Sequence, residues 1–304
     1  MSELHQQLIQ QTEIELELNT ILALITRYCL TSKGKELIFN SNFTNIDELN
    51  KELNQVQEMF DMLTTDEAPP LSKIDDVKNI IYSARIEGTA LEIIELKHIV
   101  TMIRVAKEIK VFIAPRKTKY LLLADEIATM YDDKTLSKKL DVTIDENDNI
   151  RDNATPKLAK IRAELREKNS RLHSKMTKLV REYADADMIN DDFYTIKDGR
   201  FVLSIKSTYK KRLPGIIHGA SQTGLTVYLE PNAAVDLNNE LALLYSEEKR
   251  EIYTILQALT RLVANNSNEL LALYDTLSHL DSLLAKAKYA ADYGGVKPII
   301  IDTR

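Results

Sequence analysis

The feature that most constrains this fold is a double change of hydrophobic period inside one stretch of chain, residues 156–264. Thr155-Pro156 opens the stretch with a hydroxyl cap followed by proline at the first helical position, a strong helix start. From there Leu158, Ile161, Leu165, Leu172, Met176 and Leu179 keep one apolar stripe at helical spacing. Lys157, Lys160, Arg162, Arg166, Lys168, Arg171, Lys175, Lys178 and Arg181 fill most other positions, and Glu164–Lys168 and Glu167–Arg171 stand four residues apart in the favourable order. At 1.5 Å per residue this rod is roughly 40 Å long. A stripe so narrow wants one partner helix. The partner starts at Pro231-Asn232 and carries Leu237, Leu241, Leu244, Ile252, Ile255, Leu259 and Leu262.

Between the two rods the period falls to two. Phe193–Ile196 and Phe201–Ile205 flank Lys197-Asp198-Gly199-Arg200, which reads as a β-hairpin around Asp-Gly. Gly215–His218 and Leu225–Leu229 flank Ala220–Gly224 as a second pair. The rods therefore form an antiparallel stalk with a small antiparallel sheet at its far end.

The remainder of the chain reads as helix. Eight Gly and seven Pro in 304 residues leave long elements uninterrupted. Residues 13–39 hold apolar positions at helical spacing, and Asn45 or Asp47 opens a helix that ends at Ala68-Pro69-Pro70. Further helices fit Asp75–Ile86, Leu91–Phe112 and Lys117–Met130, with Pro115 separating the last two. After Asn265 helix returns from Leu270 to Tyr289, and Gly294-Gly295 releases the chain into an extended Val296–Ile301. The expected architecture is mainly α. A helical domain covers residues 1–155, and a long antiparallel helix pair covers 156–264, with its sheet at about 192–230. Residues 265–304 return to the helical domain.

Composition narrows the function classes. The single cysteine, Cys29, excludes an internal disulfide framework, and its apolar setting fits a small buried side chain. No basic segment followed by an apolar one opens the chain, and no apolar run approaches the ~20 residues that span a bilayer. The expectation is a cytoplasmic protein with no membrane partner. The net charge of −6 does not advertise a nucleic-acid binder, but its distribution does. From Pro156 to His218 there are 15 Lys and Arg against 8 Asp and Glu, whereas the rest of the chain carries 25 against 38. A positive middle on an acidic body makes a field directed at a polyanion. A merely solvated helix face is the alternative.

Little supports catalysis or metal binding. His5, His98, His173, His218 and His279 are scattered without metal-ligand spacing. Ser221 precedes Gly224 but lies in no nucleophile-elbow pattern. Asp145–Asn149 places acidic and amide groups at alternating positions like a calcium loop, yet Ile150 stands where its turn glycine belongs and Pro156 where its bidentate glutamate belongs. It reads as a solvated turn. Asp185, Asp187, Asp191 and Asp192 read as a charged helix-to-strand connection. Phosphate contact is the sharper expectation. Lys206, Lys210, Lys211 and Arg212 cluster in a loop beside the hairpins, and such cations neutralise phosphates without reading sequence. Arg200 and Lys197 at the first hairpin turn, and Lys175 and Lys178 near the stalk end, extend the patch, while base stacking by Tyr209 or Tyr228 is not required for duplex binding. Gly215, Gly224 and Pro231 read as backbone devices, the glycines supplying positive φ in turns. The Asn238-Asn239 pair, costly in a helix, reads as hydrogen bonding between the stalk and the sheet.

Three segments carry a resemblance: Arg200–Lys206, Pro214–His218 and Ser221–Glu230-Pro231. Together they resemble the clamp signature of the MutS superfamily, in particular the bacterial type-two branch. Its pattern runs roughly R-x-V-[LI]-P-[VI]-K, G-[IV]-[IV]-H and S-x-[ST]-G-x-T-x-[FY]-[IL]-E-P. Gly215, His218, Ser221, Gly224, Glu230 and Pro231 fall on motif positions. Leu237–Glu240, Glu247-Glu248, Leu280-Asp281, Ala285–Ala290 and Gly34-Lys35-Glu36 follow the same branch, while Ser204 stands where it usually has proline. The resemblance implies a core domain, two lever helices and a clamp that closes on duplex or branched DNA. It further implies repair or recombination control, homodimerisation in the full-length protein, and no catalysis in this stretch. ATP and Mg are expected for an ATPase domain that would follow, and in the type-two branch a Smr nuclease module often comes after that. No G-x-x-x-x-G-K-[ST] occurs here, so the chain reads as a fragment with no cofactor of its own. The amino-terminal mismatch-reading domain of classical MutS has no counterpart, which argues against direct mismatch recognition. The rival expectations are a ribosome- or RNA-binding quality-control factor and a structural coiled-coil adaptor.

Overall fold

A computed structural model describes residues 8, 11–40, 43, 45–132 and 134–300. His5, Ile301 and the Asp192 side chain lie outside the described residues. The fold is mainly helical with one small antiparallel sheet. The chain divides into two compact units, Met1–Asn149 with Leu256–Arg304, and Ile150–Ile255. No helix among the described residues is long and apolar enough to cross a membrane.

The first unit contains α1 (Leu18–Thr26), α2 (Ser32–Phe39), α3 (Ile46–Thr65), α4 (Lys78–Ala84), α5 (Ile93–Ile113), α6 (Leu121–Ala128), α7 (Lys134–Thr143) and α10 (Ser267–Tyr293). The apolar pattern at 13–39 is broken where Thr31 caps α2, its hydroxyl accepting from the Gly34 amide at 2.9 Å. The same turn is held from α10. The fully buried Asp281 carboxylate accepts from the Leu30 and Thr31 amides at 2.8–3.0 Å and from the Thr31 hydroxyl at 2.7 Å. A side chain at position 34 would put its Cβ 2.3 Å from Asp281 Oδ2, so glycine is required there for close approach. α5 opens with a reciprocal capping box between Glu92 and Glu95, and Pro115 turns the chain through a 3₁₀ segment, Ala114–Arg116. α6 starts four residues later than its pattern suggests, because Tyr120 is buried in the connection with its hydroxyl on Asp66 at 2.5 Å. α10 buries residues on all sides, among them Leu270, Leu273, Leu277, Leu280 and Leu284. Such a helix is a core element.

A polar network lies against α10. His279 is hydrogen-bonded to Glu126 at 2.7 Å and Glu52 at 2.9 Å, and Lys286 reaches Glu52 at 2.7 Å. Burial by itself would lower the imidazole pKa, but the hydrogen bonds to the two carboxylates outweigh it and hold the value at about 9. Burial likewise works against the Glu52 carboxylate, yet its bonds from His279 and Lys286 pull it down to about 2. Cys29 is buried with Ile38 and Ala285, and this burial pushes its thiol up to about 12.

The second unit is built on α8 (Pro156–Asp185) and the first part of α9 (Asn232–Asn265). Thr155 caps α8 through the Leu158 amide at 3.0 Å and donates to Glu251 on α9 at 2.8 Å. Arg162 then meets Glu248 at 2.7 Å and Lys168 meets Glu240 at 2.5 Å, so rising numbers on one helix face falling numbers on the other, as in an antiparallel pair. Lys168 thus bonds across the pair rather than to Glu164, which takes Lys160 instead. Leu158, Ile161, Leu165, Leu172, Met176 and Val180 are the buried positions of α8, with Val180 taking the place expected of Leu179.

Four strands follow α8: β1 (Ile189–Lys197), β2 (Arg200–Lys206), β3 (Gly215–Ala220) and β4 (Thr226–Pro231), in the order β1-β2-β4-β3 with every neighbour antiparallel. At the first turn Asp198 and Gly199 have φ 50° and 76°, the paired left-handed residues that a two-residue hairpin of type I′ needs. The second pair is joined to the first by β2–β4 pairing, Leu203 opposite Leu229 and Ile205 opposite Val227. Their odd-numbered side chains pack on α8 and α9 in one hydrophobic cluster. Since β2 and β3 both run antiparallel to β4, residues 207–214 must cross from the far end of one to the near end of the other.

Candidate nucleic-acid interface

That crossing segment is the cationic loop. Lys206 closes β2, its amide bonded to Met188 O at 3.0 Å, and the next amide, Ser207, bonds Leu225 O at 2.9 Å. A 3₁₀ turn, Ser207–Tyr209, is tightened by the Arg212 amide on Tyr209 O at 2.8 Å, and Leu213 packs onto the hydrophobic cluster. The backbone is thus tied at both ends. Lys210, Lys211 and Arg212 point into solvent from this fixed base, and none has a carboxylate within ion-pair distance among the described residues. Arg212 only borders the Tyr209 ring, at 5.7 Å from its centroid. Three adjacent uncompensated cations on an ordered loop favour a multivalent anion.

The other candidates are placed differently. Lys206 begins the loop but pairs with the exposed Asp187 at 2.5 Å. Lys175 is exposed on α8 without a carboxylate partner among the described residues, and Lys178 faces Glu182 one turn on at 3.9 Å. Lys197 and Arg200 sit at the opposite end of β2 from Lys206, and both are engaged. The Lys197 ammonium lies 4.3 Å from the Tyr228 ring centroid, so that ring already carries a cation. Arg200 binds Glu230 at 2.7 Å and Asn239 at 2.8 Å.

The motif residues around this loop shape the sheet. Glu230 is fully buried and receives Arg200, the His218 Nε2 at 2.6 Å and the Asn238 amide nitrogen at 2.8 Å. Asn238 also accepts from Phe201 N at 3.1 Å and donates to Phe201 O at 3.2 Å. The asparagine pair does join helix to sheet. Ser221 closes the β3–β4 turn, its main chain bonded to Thr226 O at 2.9 Å and Gly224 N at 2.9 Å, with Gly224 at φ 70°. Gly215 departs from its expected reason. Its φ is not positive; rather, a Cβ there would stand 2.3 Å from Glu230 O on the paired strand. Pro231 ends β4 opposite Gly215, where a missing N–H costs nothing within the ladder. Asp187 and Tyr228, the partners that occupy Lys206 and Lys197, lie 19 and 31 positions away in sequence, and only the tertiary fold brings them together.

No group of three or more His, Cys, Asp or Glu able to hold a metal occurs among the described residues. At Asp145–Asn149 the Asp145 carboxylate accepts from the Asn147 and Asn149 amides at 2.8 and 2.9 Å, a turn closing on itself.

Fold and loop together define a helix-borne antiparallel sheet that presents a cationic crossing loop. No family model matches the chain. It is similar to proteins named Endonuclease MutS2. The relative in Clostridium perfringens (strain SM101 / Type A) is 32% identical over 288 residues, covering 94% of this chain and 36% of that protein. The relative in Clostridium beijerinckii (strain ATCC 51743 / NCIMB 8052) shows the same figures. That in Clostridium botulinum (strain Alaska E43 / Type E3) is 30% identical over 290 residues, covering 94% of this chain and 37% of its own length. The similarity runs over nearly the whole of this chain, which spans about a third of the length of the curated relatives it matches.

Proposed function

We propose that this chain is the DNA-embracing region of a MutS2-type protein: the first unit its core, the α8–α9 pair its levers and the sheet its clamp. The action is mechanical, and no catalytic step is assigned to these residues. Homodimerisation, ATP with Mg, and any nuclease chemistry are assigned by this reading to the longer protein. The observation that carries it is the ordered loop bearing Lys210, Lys211 and Arg212 without compensating carboxylates among the described residues. Such a loop contacts phosphates and releases their counterions, which gives affinity without sequence preference.

Salt dependence tests the reading. Each phosphate neutralised on B-form DNA contributes about 0.9 to the slope of log affinity against log salt. Binding to duplex and four-way-junction DNA is measured by fluorescence anisotropy between about 50 and 200 mM salt. The Lys210→Ala/Lys211→Ala/Arg212→Ala variant is expected to bind more weakly with its slope reduced by roughly 3. Equal affinity and equal slope in parent and variant would remove the loop from the interface. Structured RNA as competitor decides between polyanions: displacement of duplex at lower RNA than DNA concentrations would replace the DNA assignment by an RNA one.

A further inference from the structure

We propose that Glu230 is a positioning residue that locks the α9 part of the second unit to the sheet, so that helix segment and strands move as one rigid body. The carboxylate gathers three elements onto its own strand: β2 through Arg200, β3 through His218 and α9 through Asn238, at 2.6–2.8 Å. Asn238 adds a two-sided bond to the Phe201 main chain, and Arg200 returns to α9 through Asn239. A carboxylate with no solvent exposure is tolerated only while its lone pairs are used and its charge is matched. A one-residue slide of α9 would break the Asn238 bonds to Glu230 and Phe201 and the Asn239 bond to Arg200 together, while the Arg200 and His218 bonds to Glu230 stay within the sheet. The joint is therefore all-or-none rather than compliant.

α8 meets the same sheet differently. Beyond Leu172 it offers Met176 and Val180 to the hydrophobic cluster, and the edge of the His173 ring to Phe201 at 5.0 Å. A bond between His173 and the Tyr194 hydroxyl is the one side-chain hydrogen bond from this stretch of α8 to the sheet among the described residues. Non-directional packing of this kind permits small shear displacements. The asymmetry assigns α9 as the strut bonded to the sheet, whereas α8 meets the sheet mainly by packing and directs ionic bonds to α9 instead, through Arg162–Glu248 and Lys168–Glu240. Buried ionic clusters are often replaceable by apolar residues without loss of stability, so a cluster spanning four elements is best explained by the geometry it fixes. The consequence for clamping rests on the nucleic-acid reading above: the loop cations between β2 and β3 are carried wherever α9 goes.

Pulsed electron–electron distance measurements on the intact chain test the joint directly. Spin labels replace Leu243 on α9 and Leu225 at the β3–β4 turn, both exposed, in a Cys29→Ala background. A second pair, Ile196 and Leu225, reports on the sheet alone. In the parent both distributions are expected to be narrow. Glu230→Ala is expected to widen or split the 225–243 distribution while 196–225 stays unchanged, and Glu230→Gln, which keeps an acceptor for Arg200 and Asn238, is expected to restore the narrow one. Where Glu230→Ala does not fold, Asn238→Ala takes its place without leaving a bare charge. An unchanged 225–243 distribution in a folded variant would overturn the proposal, as would equal widening of both pairs. Duplex binding of the same samples is scored separately, so a parent that binds no nucleic acid sinks the functional reading and leaves the joint to the distances.

Discussion

The His279 network makes stability of the first unit depend on pH with a defined sign. The imidazole titrates at about 9 in the fold against an ordinary value of 6.5. Between those values the folded chain holds a proton that the unfolded chain has released, so stability is fully present below pH 6.5 and is lost as pH rises through 9. Integrating this linkage from about pH 6 to about pH 8.5 gives a loss of roughly 2 kcal/mol. His279 is buried enough for that value to survive solvent screening, with its side chain 30% exposed. The assay is urea unfolding followed by circular dichroism at several pH values across this range, for the parent and for His279→Gln. Subtracting the variant's pH dependence removes titration elsewhere, including that of Cys29, which burial pushes up to about 12 from 9.0 and whose contribution begins near the top of the window. The direct companion is the NMR titration of the His279 ring in the folded chain. Equal slopes in parent and variant, or a ring midpoint below about 7, would refute the reasoning.

Three further outcomes follow from the packing. Asp281→Ala leaves the Leu30 and Thr31 amides without their acceptor in a buried turn, and is expected to destabilise the first unit by about 3 kcal/mol, read as a lowered urea midpoint. Gly215→Ala is expected to cost more than Gly224→Ala, because its Cβ meets the Glu230 main chain whereas Gly224 has open space and only the left-handed penalty of about 1 kcal/mol; a reversed order in thermal melts would show that the strands separate freely. Thr155→Ala removes the α8 cap and its bond to Glu251, an expected loss of about 1 kcal/mol that Thr155→Ser should largely recover.

Much of the architecture is legible in the amino-acid sequence. The stripe from Leu158 to Met176, the Thr155-Pro156 start and the Asp198-Gly199 turn each depend on residues within a turn or two of one another. Periods of 3.6 and 2 report such local order faithfully. The Asn238-Asn239 pair was conspicuous for a related reason: two poor helix formers inside a helix need a use elsewhere. Lys210, Lys211 and Arg212 stood out as neighbours in the chain.

What needed the tertiary structure was every pairing between distant segments. Local pattern cannot say that β2 pairs with β4, that Lys206 finds Asp187, or that Lys168 crosses to Glu240 instead of staying with Glu164. Nor could it show that Arg200 is held by the buried Glu230, or that Gly215 and Gly34 are small because another strand and another helix come close. The physical reason is range. Helix and strand periodicity is set by each residue's near neighbours, whereas an ion pair or a close approach is chosen among many candidate groups by which of them packing brings within about 4 Å.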